Sequence, residues 1–181
     1  MRVPEERVSA ATFEELAMPL FDQLYNFARW LTQDTAEAED LVQETYVKAL
    51  RGFSSYQLGT NFRAWMYRIL RNSFLSSRTG LKTMVALDGE ADDSLLPTDG
   101  TTPESVLIAQ VDRETIQQAL ADLQVPFREI LLLCEVEEMS YQEIAETLAI
   151  PIGTVMSRLF RARKALRDLV QTKNEGGRHG V

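Results

Sequence analysis

The chain has 181 residues, of which 45% are hydrophobic, so it can form one domain or two small ones with apolar cores. It has no apolar run of about 18 or more residues and no signal-peptide pattern, which excludes a membrane span and predicts a cytoplasmic protein. One cysteine, Cys134, and one histidine, His179, exclude an internal disulfide and argue against a metal site, a cofactor and histidine-based catalysis. We therefore expect a protein that is not an enzyme.

The first half of the chain is predicted to form three helical segments. The first begins with a capping box at residues 12–15, and Pro19 is expected to break or kink it. Asp34 is the expected N-cap of a second helix over residues 35–51, and a third helix is predicted over residues 61–77 after a polar loop. Residues 12–80 are therefore predicted to form one small helical domain.

The second half is predicted to form another helical domain behind a tether. Residues 81–102 are rich in Gly, Asp, Thr and Pro, which predicts a flexible acidic linker. Residues 103–172 show helical periodicity, and residues 173–181 are predicted to be a disordered tail. The helices of this domain are expected at residues 103–122, 126–137, 141–148 and 152–170. The fold class is therefore all-α, with two small helical domains joined by a linker.

The net charge of −8, from 19 basic and 27 acidic side chains, hides a strong segregation of charge along the chain. Residues 61–82 and 153–167 carry basic side chains and no acidic one. Residues 34–44 and 88–104 are acidic, and residues 129–146 hold six glutamates. Two basic segments on an acidic background predict two contacts with a polyanion.

Residues 140–167 have the pattern of a helix-turn-helix. A capping box at residues 140–143 starts a short helix, residues 149–151 form the turn, and the next helix has one apolar stripe. Basic side chains lie opposite that stripe: Arg161, Lys164 and Arg167. Phe160 also lies outside it, either packed on a neighbouring helix or contacting a thymine methyl or a sugar. The pattern predicts a DNA-binding helix, although a basic helix face alone is usually only solvated.

The first basic segment interleaves cations with aromatic rings. Arg63, Tyr67, Arg71, Phe74 and Arg78 form one stripe of the predicted third helix, separate from its packed face. Cations that hold phosphates and rings that stack on bases are typical of proteins that bind single-stranded nucleic acid. An ordinary amphipathic helix with aromatic core residues explains the same pattern. Beside a duplex-binding motif, the stripe favours a protein that contacts both duplex and melted DNA.

The acidic second helix presents Asp40, Gln43, Glu44 and Val47 opposite its apolar face. An acidic rim around an exposed valine predicts a protein-docking surface. A merely solvated face is the commoner explanation for any single helix.

Three segments resemble the extracytoplasmic-function sigma factors of bacterial RNA polymerase, within the sigma-70 family. AEDLVQETYVKAL (38–50) is similar to sigma region 2.2, and NFRAWMYRILRN (61–72) to regions 2.3 and 2.4. SYQEIAETLAIPIGTVMSRLFRARKALR (140–167) is similar to region 4.2. The combination LVQETYVKA, GTNFRAWMYRIL and GTVMSRL also resembles the thiol-stress branch, whose antagonists are often zinc-binding anti-sigma factors.

This resemblance implies a function and partners. The chain would bind core RNA polymerase, through its β′ clamp and β subunits, and direct promoter-specific initiation in a stress response under an anti-sigma factor. Polymerase binding is assigned to Asp40, Gln43, Glu44 and Val47. Binding of melted −10 DNA is assigned to Arg63, Tyr67, Arg68, Arg71 and Asn72. Binding of −35 duplex is assigned to Thr154, Ser157, Arg158, Phe160, Arg161 and Lys164. Met156 departs from the resemblance, because the family often has a basic residue at that position.

An autonomous helix-turn-helix repressor, binding operator DNA as a dimer, is the alternative. It gives no role to the acidic helix face or to the aromatic and basic stripe. Binding of DNA with and without core polymerase distinguishes the two hypotheses.

Overall fold

The computed structural model describes residues 12–78 and 112–177, which form helices joined by short turns with no strand among them. The N-terminal domain contains α1 (residues 12–17), α2 (Phe21–Thr32), α3 (Thr35–Gly52) and α4 (Phe62–Ser77). The C-terminal domain contains α5 (Arg113–Asp122), α6 (Val125–Leu131), α7 (Tyr141–Leu148) and α8 (Ile152–Gly177). The predicted all-α fold class is confirmed.

Polar side chains start the helices of the N-terminal domain. Asp34 accepts a hydrogen bond from the backbone amide three residues further on, at 2.8 Å, and so caps α3. Asn61 caps α4 in the same way, at 3.0 Å. Pro19 lies in a short 3₁₀ turn, Met18–Leu20, that separates α1 from α2. The predicted bounds of α3 and α4 and the predicted break at Pro19 agree with the structure.

The helices of the C-terminal domain differ from the prediction at three places. Asp112 has an extended backbone and its carboxylate caps α5 at the Thr115 amide, at 2.9 Å, so α5 begins at Arg113 and the predicted helix 103–122 is not continuous. After α6 the chain widens into a π turn, Leu132–Val136, within the helix predicted over 126–137. The last helix, α8, continues to Gly177, where the sequence predicted a disordered tail. The linker, residues 81–102, lies outside the described residues.

One continuous apolar core runs through both domains. Its N-terminal part is centred on Leu24, Phe27 and Leu70, and its C-terminal part on Ile130 and Leu159. Helix α4 packs against α7, and α2 packs against α6, so the two domains share an interface. Among the described helices, none has the length and apolar character needed to cross a membrane.

Candidate nucleic-acid and protein interfaces

The acidic face of α3 is open to solvent. All four side chains assigned to protein docking are exposed: Asp40, Gln43, Glu44 and Val47. Glu44 forms an ion pair with Lys48 one turn further along the helix. The opposite side of α3 is buried through Ala38, Val42 and Thr45. The fold therefore leaves this face open to solvent and does not use it for its own packing.

Apolar side chains that the sequence analysis did not assign extend the acidic face. Met18 is 57% exposed, Phe21 is 44% exposed and Leu50 is 52% exposed. The Phe21 ring lies 5.9 Å from the ring of Tyr46, which belongs to the same helix as the acidic face. The sequence analysis did not assign Phe21, although an exposed aromatic side chain beside other apolar ones is a sign of an external contact.

The basic stripe, Arg63, Tyr67, Arg71, Phe74 and Arg78, lies largely inside the molecule, where Tyr67, Arg71 and Phe74 are buried. Tyr67 is fully buried and donates a hydrogen bond from its hydroxyl to the Glu137 carboxylate at 2.6 Å. Arg63 forms an ion pair with the same carboxylate at 3.3 Å. Burial raises the pKa of Tyr67 above its ordinary value, and the hydrogen bond to Glu137 raises it further. Tyr67 is therefore a neutral donor within the interface.

Arg71 joins the domains through a buried carboxylate. Its guanidinium donates two hydrogen bonds to Glu129, at 2.8 Å and 3.0 Å. Arg158 of α8 reaches the same carboxylate, with its Nη1 atom 3.9 Å away. All three side chains are buried, so one carboxylate pairs with cations from both domains. We call the contacts of Arg63, Tyr67 and Arg71 with Glu129 and Glu137 the interdomain clasp.

Further polar contacts surround the interdomain clasp. The Arg68 Nε donates to the backbone carbonyl of Glu146 at 3.0 Å, although Arg68 itself is exposed. The side-chain amide of Asn61 donates to Glu143 at 2.9 Å. Arg128 donates to the backbone carbonyls of Trp30 and Leu31, at 3.2 Å and 3.3 Å, and so satisfies the C-terminal end of α2.

The clasp changes the interpretation of the first basic segment. The sequence predicted an open stripe facing a polyanion, but the glutamates of residues 129–146 supply the opposing charge within the chain. Tyr67 and Arg71 cannot contact DNA in this arrangement, because they are buried against the C-terminal domain. Asn72, by contrast, is exposed. Any contact of Tyr67 and Arg71 with DNA therefore requires the two domains to separate.

The helix-turn-helix has the geometry that the sequence predicted. Ser140 accepts from the Glu143 amide at 3.2 Å, and Glu143 accepts from the Ser140 amide at 2.8 Å, which completes the capping box. Ala149 adopts a left-handed backbone with φ of 54°, which ends α7 and turns the chain toward α8. Val155 and Leu159 then bury one side of α8. These features fix the orientation of the recognition helix, the first half of α8.

The residues assigned to −35 DNA divide into three groups. Phe160 and Lys164 are exposed, and Phe160 is 38% exposed. Thr154, Ser157 and Arg161 are half-buried, and the Arg161 guanidinium lies 5.8 Å from the centre of the Phe127 ring. Arg158 is fully buried beside Glu129, so its expected role in DNA recognition does not fit this structure. Arg158 lies next to the apolar stripe of α8, and its side chain points into the domain.

Cys134 is half-buried in the π turn, at the end of the apolar run of residues 130–133. Burial raises the pKa of its thiol, and the nearby Glu135 carboxylate raises it further. The thiolate is therefore scarcer at neutral pH than for an ordinary cysteine.

We expect Cys134 to react slowly with iodoacetamide at pH 7, with a midpoint for the pH dependence above that of an ordinary thiol. The reaction rate is measured against pH by mass spectrometry. The matched control is Glu135→Cys in a Cys134→Ser background, which places an exposed thiol one residue away. A rate for Cys134 that equals the control at pH 7 would contradict the assignment of an unreactive thiol.

Two family models match the chain in the order of its two domains. Sigma-70 region 2 matches residues 16–82, and sigma-70 region 4 matches residues 113–166. The chain is 32% identical over 153 residues to the ECF RNA polymerase sigma factor SigW of Bacillus subtilis, and the match covers 81% of this chain and 82% of SigW. The chain belongs to the extracytoplasmic-function (ECF) sigma factors. Sigma factors are non-enzymatic initiation factors of transcription.

Two further comparisons support this family and its fold. The ECF RNA polymerase sigma factor SigE of Mycolicibacterium smegmatis is 38% identical over 168 residues, covering 87% of this chain, which spans 64% of the length of SigE. The sigma factor RpoE of Bartonella quintana, solved in complex with the anti-sigma factor NepR, is 30% identical with a TM-score of 0.65. That match covers 88% of this chain and 97% of RpoE.

Proposed function

We propose that this sigma factor binds core RNA polymerase and directs promoter-specific initiation by recognising −35 duplex and melted −10 DNA. The observation that carries the proposal is the exposure of two separate surfaces on one chain. The acidic face of α3 is open for polymerase, and the outward side of the recognition helix, with Phe160 and Lys164, is open for duplex DNA. A one-component repressor uses only the second of these surfaces.

The proposed polymerase contact comprises the acidic face and its apolar neighbours. Asp40, Gln43, Glu44 and Val47 bind the β′ clamp in this proposal. Charge complementarity sets the association rate and the register of the two proteins, and the exposed apolar side chains slow their dissociation. The C-terminal domain lies against the β subunit when it holds the −35 element.

The proposed promoter contacts use both domains. Base contacts in the major groove are assigned to four residues: Thr154, Ser157, Phe160 and Arg161. Lys164 neutralises phosphate. Asn72 and Arg68, which are exposed, contact the melted −10 strand. Arg63, Tyr67 and Arg71 join them only after the interdomain clasp has opened, since they are occupied by glutamates in the free chain.

A gel-shift experiment tests the proposal against the repressor hypothesis. The full chain is mixed with a duplex selected from a random promoter library by the chain and core polymerase together. We expect a stable complex, resistant to competitor DNA, only when core polymerase is present. An equally stable and sequence-specific complex of the chain alone, as a dimer, would favour the repressor.

Asn72→Ala is expected to reduce open-complex formation on that duplex by about tenfold, the order of one lost base contact. Binding to core polymerase should be unchanged. A template already melted at −10 should restore only part of the loss, because it removes the cost of melting but not the missing base contact. The measurement is permanganate reactivity of the melted thymines.

The matched control for Asn72 is Ser76→Ala, an exposed position one turn further along α4. We expect this variant to form open complexes like the unmodified chain. Equal activity of Asn72→Ala and Ser76→Ala on duplex DNA would remove Asn72 from the proposed contact.

An anti-sigma factor is the proposed regulatory partner, and the likeness to RpoE bound to NepR supports it. The finer assignment, to the thiol-stress branch with a zinc-binding antagonist and a cytoplasmic location, rests on the motif likeness alone and stays a prediction. It is tested by purifying the chain with its bound antagonist, measuring zinc, and adding a thiol oxidant. Release of the chain together with zinc supports the branch, and a zinc-free antagonist contradicts it.

A further inference from the structure

The recognition helix carries exposed apolar side chains that the fold does not use. Ile152 is 47% exposed, Met156 is 46% exposed and Phe160 is 38% exposed. They are spaced four residues apart, so they follow one another along one side of α8 with a drift of about 40° per step. We call these three side chains the apolar ridge. Exposing apolar side chains in a row is unfavourable in water, which indicates that something covers them.

The apolar ridge is distinct from the side of α8 that forms the core. Val155, Leu159 and Ala162 are buried and hold α8 against the rest of the C-terminal domain. The ridge therefore contributes little to the stability of the fold, and its side chains are available for contact with another molecule. Met156 lies at its centre, with Ile152 one turn before it and Phe160 one turn after it.

The charge around the ridge indicates which partner covers it. No acidic residue occurs between Ile152 and Arg167, and Lys164 is exposed one turn beyond Phe160. An apolar surface with a cationic border fits a polyanion that also offers apolar groups. Duplex DNA meets both conditions in its major groove, where thymine alone presents a methyl group. The ridge also lies on the second helix of a helix-turn-helix, which is the element that enters that groove.

Gly153 gives a second and independent observation on the same side of α8. A Cβ atom placed on Gly153 would meet no heavy atom within 4 Å, so packing within the protein does not require glycine there. Glycine in a helix is less favourable than alanine, by about 0.5–1 kcal/mol in a helix interior. Gly153 precedes Met156 by three residues, so the two positions are neighbours on the helix surface. The missing side chain leaves room for a group from outside to lie against Met156.

We propose that the apolar ridge determines part of the −35 specificity by contacting thymine 5-methyl groups, with Met156 as the principal contact and Gly153 leaving space for the methyl. This rests on the proposed function as a sigma factor. The flexible thioether side chain of Met156 adapts to the methyl surface, as methionine does at other apolar contacts. Because position 156 carries methionine and not a cation, its contact with DNA is apolar.

The experiment replaces thymine by deoxyuridine, which keeps base pairing and removes only the methyl group. A −35 sequence is first selected from a random duplex library by the full chain with core polymerase. Each thymine of the selected −35 element is then replaced in turn, and affinity is measured by competition. We expect at least one replacement to weaken binding about fourfold, the value of one buried methyl-sized group. The Met156→Ala variant should bind the thymine duplex and that deoxyuridine duplex with equal affinity.

Two variants provide the controls. Lys164→Ala should weaken binding to thymine and deoxyuridine duplexes equally, because it removes a phosphate contact. Gly153→Ala should weaken binding to the thymine duplex, because the alanine methyl and the thymine methyl occupy the same space. The loss should be smaller on the deoxyuridine duplex, which lacks the thymine methyl.

The outcomes separate the inference from the function on which it rests. If the holoenzyme selects no −35 sequence, the proposed function fails. If a −35 sequence is selected but every thymine tolerates deoxyuridine, or Met156→Ala keeps the full sensitivity, the proposed function stands and the apolar ridge does not contact thymine. Loss of antagonist binding in Met156→Ala with unchanged DNA affinity would assign the ridge to an anti-sigma factor and overturn the proposal.

Discussion

Asp40→Lys combined with Glu44→Lys is expected to lower the affinity for core RNA polymerase by more than about a hundredfold. Bringing like charges together at an interface costs several kcal/mol, and a hundredfold loss corresponds to about 2.7 kcal/mol. Both carboxylates lie on the exposed acidic face, and neither is needed for packing. The fold should therefore survive, with a loss limited to the helix-surface pair of Glu44 and Lys48. Core binding is measured by fluorescence anisotropy at two salt concentrations, and folding by circular dichroism.

The control for this variant carries the same change of charge elsewhere. Asp168→Lys with Glu175→Lys alters two exposed residues in the second half of α8, beyond the residues proposed to contact DNA. We expect this control to bind core polymerase like the unmodified chain at both salt concentrations. Equal affinity of a folded Asp40→Lys, Glu44→Lys variant and this control would refute the docking assignment.

Glu129→Gln is expected to reduce the free energy of unfolding of the C-terminal domain by about 3–5 kcal/mol. Removing one partner of a buried ion pair leaves an uncompensated charge, and here two buried guanidinium groups, Arg71 and Arg158, share the one carboxylate. The glutamine side chain preserves the shape of glutamate, so the loss reports on charge. Urea denaturation followed by circular dichroism measures it.

Glu135→Gln provides the matched control within the same segment. Glu135 also pairs with an arginine, Arg163, at 2.7 Å, but its side chain is 54% exposed and that of Arg163 is 43% exposed. Such exposed pairs contribute about 0–1 kcal/mol because solvent screens them. If Glu129→Gln and Glu135→Gln destabilised the chain equally, the buried network would not be the main source of stability at this interface.

Local signals made the helices predictable from the sequence. Asp34, Asn61 and the capping box of Ser140 with Glu143 each satisfy backbone amides within three residues, so their effect depends on neighbours along the chain. The bounds of α3, α4 and α7 followed from them. The acidic face of α3 was predictable for the same reason, because helical spacing alone separates Asp40 and Glu44 from the buried side.

Contacts between distant segments were not predictable from the same pattern. The basic stripe and the glutamates of residues 129–146 were both visible as charge segregation, but their spacing did not show that they face each other. Arg71 and Glu129 are separated by 58 positions, and only the packing of α4 on the C-terminal domain brings them together. The burial of Arg158 was unpredictable for a related reason. It lies at the edge of the apolar stripe, and a buried carboxylate from α6 draws it inward.

The interdomain clasp links the structure of the free chain to the proposed activity. Its glutamates occupy the cations that the proposal assigns to melted −10 DNA, so clasp and DNA compete for Arg63 and Arg71. The proposed polymerase contact does not involve the clasp residues, because the acidic face lies on the exposed side of α3. In the proposed mechanism the domains separate on the enzyme before Arg63, Tyr67 and Arg71 contact −10 DNA.

Energy transfer between dyes on the two domains measures this separation directly. Donor and acceptor dyes are attached at Leu58→Cys and Gln142→Cys, two exposed positions on opposite sides of the interface, in a Cys134→Ser background. We expect high transfer efficiency in the free chain, because residues 61 and 143 nearby are joined by a hydrogen bond of 2.9 Å. Transfer should fall when core polymerase and promoter DNA are added. High transfer that persists in a complex active in transcription would contradict the account.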